Sequence, residues 1–178
     1  MNLQKPNSDR RHTIAVLVDN EPGVLARVIG LFAGRGYNIE SLTVSEIDSV
    51  KGYSRITIVT SGTDMVIEQI KALLDRLVPV HMVEDLTVQG PCLERELALV
   101  KVVNAGESRI EALRIADMFR ARAIDSTLNS FVFELTGSPE KLNAFIELMS
   151  GLGKTEITRG GVVAITRGSG IGLQNNKT

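Results

Sequence analysis

Residues 13–19, Thr-Ile-Ala-Val-Leu-Val-Asp, are apolar at both parities, the pattern of a central strand buried on both faces. The period then changes. Between residues 23 and 35, Val24, Leu25, Val28, Ile29 and Phe32 fall on one helical stripe. Pro22 suits the first helical turn, and Gly34 and Gly36 stop the helix. From 38 to 47 the chain reads as strand again, with Leu42 and Val44 facing one way and Ser41, Thr43 and Ser45 the other. A turn over 48–52 leads to a third strand over 53–60, rich in Ile, Val and Thr. Ser61-Gly62-Thr63-Asp64 offers helix caps, after which Val66, Ile70, Leu73, Leu74 and Leu77 mark a second amphipathic helix. Val80, Met82, Leu86 and Val88 keep even spacing along a closing strand over 80–88. The predicted order is β-α-β-β-α-β.

About eighty residues on, the plan repeats. Strands are predicted over 97–103, 123–128, 131–136 and 155–165, the last bulged at Gly160-Gly161. A helix is predicted over 108–120, and Ser138-Pro139-Glu140 opens another that carries Leu142, Phe145, Ile146 and Met149. The fold class is therefore α+β, two tandem ferredoxin-like βαββαβ domains. This reading divides the chain into a polar N-terminal extension (1–11), a first domain (12–88), a linker (89–95), a second domain (96–167) and a flexible Gly- and Asn-rich tail (168–178). Each small sheet has helices on one face only, so burial of the other against a second copy or another chain is expected.

Aromatic residues make up 4% of the chain and Trp is absent, so the core must be aliphatic. A net charge of -1 with scattered Lys and Arg gives no electrostatic footprint for nucleic acid or a membrane surface. Cys92 is the only cysteine, ruling out an internal disulfide and falling far short of a zinc site. No apolar stretch approaches the roughly 18 residues that span a bilayer, and the polar start lacks a signal core. The cytoplasm is the expected location.

The turn Asp19-Asn20-Glu21-Pro22-Gly23-Val24-Leu25 sets a glycine at a helix start, where free N–H groups and the helix dipole favour a carboxylate. Asn20 either orients a ligand or caps the helix, and capping is the commoner role. Asn38 supplies an amide oxygen suited to an ammonium group, although turn formation is the commoner role here too. If the second strand is an edge strand, a neighbouring subunit's Asn38 would face Gly23, and the site would exist only in a dimer.

Asn20-Glu21-Pro22-Gly23-Val24-Leu25 resembles the Asn-x-x-Gly-x-Leu turn of ACT domains, which sense amino acids. The run from Gly30 to Val44, Gly-Leu-Phe-Ala-Gly-Arg-Gly-Tyr-Asn-Ile-Glu-Ser-Leu-Thr-Val, resembles the signature of acetolactate (acetohydroxyacid) synthase small subunits. The resemblance extends over residues 12–167. It implies a non-catalytic regulatory subunit that binds and activates a catalytic large subunit and confers valine feedback inhibition on branched-chain amino acid biosynthesis. It also implies edge-to-edge pairing of two ACT domains with valine at their interface. Asn20, Gly23, Val24 and Leu25 match the loop that holds the carboxylate, and Asn38 and Ile39 match the partner's contribution. Thiamine diphosphate, magnesium and FAD would sit on the large subunit, with no cofactor on this chain. In the second copy, Val103-Asn104-Ala105-Gly106-Glu107-Ser108 lacks the Gly-x-Leu turn, so no second valine site is expected.

Two other classes fit less well. His12, His81 and Cys92 make no acid/base constellation for an enzyme. An RNA-recognition motif shares the strand order, and residues 51–58 imitate one of its signatures, but Arg55 and Ile58 stand where stacking rings belong. An ACT-domain sensor serving another enzyme is the remaining alternative.

Overall fold

β1 (Arg10–Asp19) is buried from His12 to Val18, as its unbroken apolar run requires. In the computed structural model, which describes residues 9–103 and 106–169, it lies inside a four-stranded antiparallel sheet. α1 (Val24–Ala33), β2 (Ser41–Asp48), β3 (Tyr53–Gly62), α2 (Asp64–Asp75) and β4 (Val80–Asp85) follow. The order β2-β3-β1-β4 makes β2 an edge strand. Then come β5 (Cys92–Val103), α3 (Glu107–Phe119), β6 (Arg122–Ser126), β7 (Ser130–Gly137), α4 (Pro139–Ser150), β8 (Lys154–Arg159) and β9 (Val163–Thr166). They build a sheet of order β6-β7-β5-β8, with β9 also pairing to β5. The fold is α+β, two ferredoxin-like domains in tandem.

The described residues form two compact units, 9–93 with 164–169, and 94–163. In the first, Ile14, Val16, Val18, Ile56 and Ile58 of the sheet meet Val24, Val28 and Phe32 of α1 and Ile67, Ile70 and Leu74 of α2. Thr63 caps α2 by accepting from the Val66 N–H. The other sheet face is not left for a second chain at its centre. Leu86, Cys92 and Ala164 of the same unit cover Ala15 and Leu17 there. In the second unit, Ala98, Val100, Phe131, Phe133 and Leu135 pack under Ala112, Ile115, Leu142, Phe145 and Met149. Ser138 caps α4 and Pro139 opens it.

Several boundaries differ from the sequence reading. The buried stripe of α1 is narrower, Val24, Val28 and Phe32, because Leu25 and Ile29 lie to one side and stay exposed. β2 begins at Ser41 rather than residue 38. β4 stops at Asp85, whose carboxylate accepts from the Thr87 N–H (3.0 Å) and turns the chain. The expected linker is partly strand, since β5 starts at Cys92, and residues from Ala164 belong to the first unit rather than the second domain. Gly161, at φ 81°, breaks the last strand into β8 and β9. β1 takes in Arg10 and Arg11 from the expected extension, while residues 1–8 and the tail beyond Ser169 lie outside the described residues.

Candidate functional site

At the end of β1 the chain is held by backbone bonds on both sides. The Asp19 N–H donates to the Pro79 C=O (2.9 Å), and the Asn20 N–H donates to the Gly52 C=O (2.7 Å). The turn closes at Gly23, which is the N-cap of α1 with φ 88° and ψ -11°, a left-handed conformation that an L side chain resists. A Cβ at residue 23 would meet nothing within 4 Å, so the space before the helix is open.

Asn20 does not cap the helix. No side chain does, and Asn20 is exposed. α1 also lacks an acidic residue in its first turn. The other described helices differ: α2 has Thr63 and Asp64, α3 has Glu107, and α4 has Ser138 and Glu140. Among the described residues, α1 is the helix start that neither a capping side chain nor a carboxylate serves. Its partial positive charge is open to an external anion.

The predicted residues divide into exposed and inward-facing groups. Val24 is buried in the core and its N–H donates to the Glu21 C=O (3.4 Å), whereas Leu25 is 38% exposed beside Ile29. Asn38 is exposed and its C=O accepts from the Thr60 hydroxyl (2.6 Å). Ile39 packs on the rim of the core. Both precede edge strand β2, and among the described residues no hydrogen bond joins them to the 20–25 turn. In the second unit, Gly106 is the N-cap of α3 and Glu107 stands in the first turn, while Asn104 and Ala105 lie outside the described residues.

The sequence names Asp19 and His81 separately and does not show that they pair beside the turn. His81 Nε2 lies 2.6 Å from Asp19 Oδ1, and the His81 and Tyr53 rings are 4.7 Å apart. The only signal was a histidine set between Val80 and Met82 in the closing strand.

The other histidine pairs elsewhere. His12 Nδ1 is 2.7 Å from Asp85 Oδ2 with both side chains buried, a pair that no substrate reaches. Arg55, on the strand that imitates an RNA-binding signature, donates to the Ala164 C=O (2.7 Å). Burial pushes its guanidinium below the ordinary value, and the charge of Glu84 opposes that shift. Ile58 is in the helix-side core, so neither position offers a surface for stacking bases. Among the described residues no three His, Cys, Asp or Glu are grouped to hold a metal, and no helix is long and apolar enough to cross a membrane.

Comparison with known proteins agrees with this architecture. Residues 14–82 match the AHAS small subunit-like ACT domain, and residues 95–168 match the small subunit of acetolactate synthase. A probable acetolactate synthase small subunit from Archaeoglobus fulgidus is 46% identical over 89% of this chain and 98% of its own length. The acetolactate synthase isozyme 3 small subunit of Escherichia coli is 44% identical over 90% of this chain and 98% of its own. The crystal structure of the acetolactate synthase small subunit from Thermotoga maritima superposes with a TM-score of 0.82 at 38% identity, covering 90% of this chain and 99% of that one. With both domains matched and relatives 44% and 46% identical over 90% and 89% of its length, the chain belongs to the family of acetolactate synthase small subunits.

Proposed function

We propose that this chain is the non-catalytic regulatory subunit of an acetolactate synthase, binding and activating the catalytic large subunit and making it sensitive to valine. The observation that carries the effector site is the unserved start of α1 behind Gly23. There the ligand carboxylate takes the free N–H groups, with Asn20 orienting it and Leu25 beside it. Asn38 and Ile39 of a second copy, brought in along the β2 edge, meet the ammonium group and side chain. Thiamine diphosphate, magnesium and FAD belong on the large subunit, and the complex works in the cytoplasm.

The magnitudes suit a metabolite sensor. Burying a valine side chain contributes roughly 1.5–3 kcal/mol, and charge-assisted hydrogen bonds at each end add roughly 1.5–3 kcal/mol. Immobilisation and desolvation offset several of these, leaving a Kd on the order of 10⁻⁴ to 10⁻⁵ M. A preference of about 1–3 kcal/mol for one state of the complex is enough to shift activity.

Reconstitution with the large subunit of the same organism tests this reading. The expected result is higher activity that valine then inhibits, with calorimetry giving a valine affinity in the range above. Absence of activation, or co-purification with a partner other than a thiamine-dependent large subunit, overturns it. Titration with leucine and isoleucine defines the ligand range.

A further inference from the structure

The turn that the proposed function assigns to the effector is rooted at Asp19, and the residue that grips Asp19 is out of register with its strand. β4 pairs with β1 as Leu17 with Met82 and then Val18 with Val80, so His81 is an extra residue between them. Bulges of this kind re-aim a side chain and recur beside functional sites. Here the bulge turns the imidazole to Asp19, with Nε2 2.6 Å from Oδ1. Tyr53 is the cross-strand partner of Asp19 on β3, and its ring meets His81 at 4.7 Å with a 50° tilt. Two side chains from the strands flanking β1 thus meet over its last residue. The backbone bonds from Asp19 to Pro79 and from Asn20 to Gly52 pin the main chain at the same point.

We infer that His81 is a positioning residue for the effector turn, fixing Asp19 and through it the placement of Asn20 and Gly23. The hydrogen bond is partly buried, with the His81 side chain 28% and the Asp19 side chain 40% exposed, so water competes for it only in part. Without it, the root of the turn loses its side-chain tie to β4 and keeps the main-chain bonds to Pro79 and Gly52, and more of the ligand's binding energy goes into ordering the turn. This inference rests on the reading of that turn as the valine site.

The test uses the full chain, with valine as the probe and two substitutions at one position. His81→Leu removes the hydrogen-bonding nitrogen, while His81→Gln places a side-chain amide near the position of Nε2. Leu is expected to weaken valine binding about tenfold and Gln to stay within about twofold of wild type. Amide hydrogen exchange at residues 20–25, followed without ligand, should quicken in the Leu variant and not in the Gln variant. Equal affinity and equal exchange in Leu, Gln and wild type overturn the inference. So does equal loss in Leu and Gln, which marks a packing role for the ring. If wild type fails to bind valine while exchange still separates Leu from Gln, the effector reading falls and the positioning role stands. Should the Leu variant not fold, Asp19→Ala removes the acceptor from the other side of the bond; weaker valine binding and faster exchange at residues 20–25 are expected, and wild-type values in both assays overturn the inference.

Discussion

A glycine at φ 88° with open space before it answers two demands at once: the backbone needs a residue without Cβ, and the ligand needs the room. Substitutions at Gly23 separate them. Gly23→Ala imposes left-handed strain of about 1–2 kcal/mol without adding charge. Gly23→Asp imposes the same strain and sets a carboxylate at the helix start, where it takes the place of the ligand's own. Urea denaturation should therefore show the Asp variant no less stable than the Ala variant. Calorimetry should show valine binding weaker in Asp than in Ala by a further factor of about 10–100, the loss of one charge-assisted hydrogen bond. Equal valine affinity in the two variants would place the ligand carboxylate elsewhere.

At the scale of elements, strand placement in the second unit depends on Arg159, the last residue of β8. Its Nε donates to Glu96 Oε1 (2.8 Å), Nη2 to the other carboxylate oxygen, and Nη1 to Asn143 Oδ1 of α4 (2.8 Å). The hydrogen bonds to Glu96 raise the pKa of Arg159 above its ordinary value, against the opposing effect of burial. Glu96 is 4% exposed, so Arg159→Met leaves a buried carboxylate without its cation. Because the Arg159 side chain is itself 35% exposed, the expected loss is about 1.5–3 kcal/mol in urea denaturation rather than the upper figure for a fully buried pair. Arg159→Lys should lose less, and Glu96→Leu in the Arg159→Met background should regain part of the loss. A change under about 0.5 kcal/mol in Arg159→Met would mean that the carboxylate finds water.

The same scale shows what the sequence could and could not reveal. Helix and strand order was legible because periodicity is local: Ile14, Val16 and Val18 announce a core strand without knowledge of their partners. Strand ends were not, because residues far apart decide them. β4 ends where Asp85 takes the Thr87 N–H with one oxygen and His12 with the other, a partner 73 residues away. Cys92 looked like linker, but its packing beside Leu86 and Ala164 makes it the start of a strand. In the candidate site, Pro22-Gly23 was legible as a turn with a helix behind it. That Asn20 leaves the helix uncapped was not, because the same residue type serves both roles. His81 was hidden by its bulge, since an alternating pattern assigns a face only while the register holds.

For the whole molecule, the proposed effector site is shared between two chains, and subunit exchange separates that arrangement from a site within one. β2 is an edge strand, and Val44 and Ile47 on it are exposed together with Leu25 and Ile29 of α1. An edge strand with apolar neighbours is a natural seam for a two-fold pair, in which each chain offers the same surface and every contact occurs twice. Under the proposed pairing, each site takes Gly23 from one chain and Asn38 from the other. Gly23→Asp and Asn38→Ala should each lower valine affinity when studied alone. Re-pairing the two variants at equal amounts produces mixed dimers with both lesions in one site and none in the other. Random pairing then restores about a quarter of wild-type binding capacity, at wild-type affinity. A site built within one chain restores none, because every chain still carries its own lesion. Calorimetric stoichiometry measured before and after subunit exchange separates these outcomes, and recovery with native affinity requires the shared geometry.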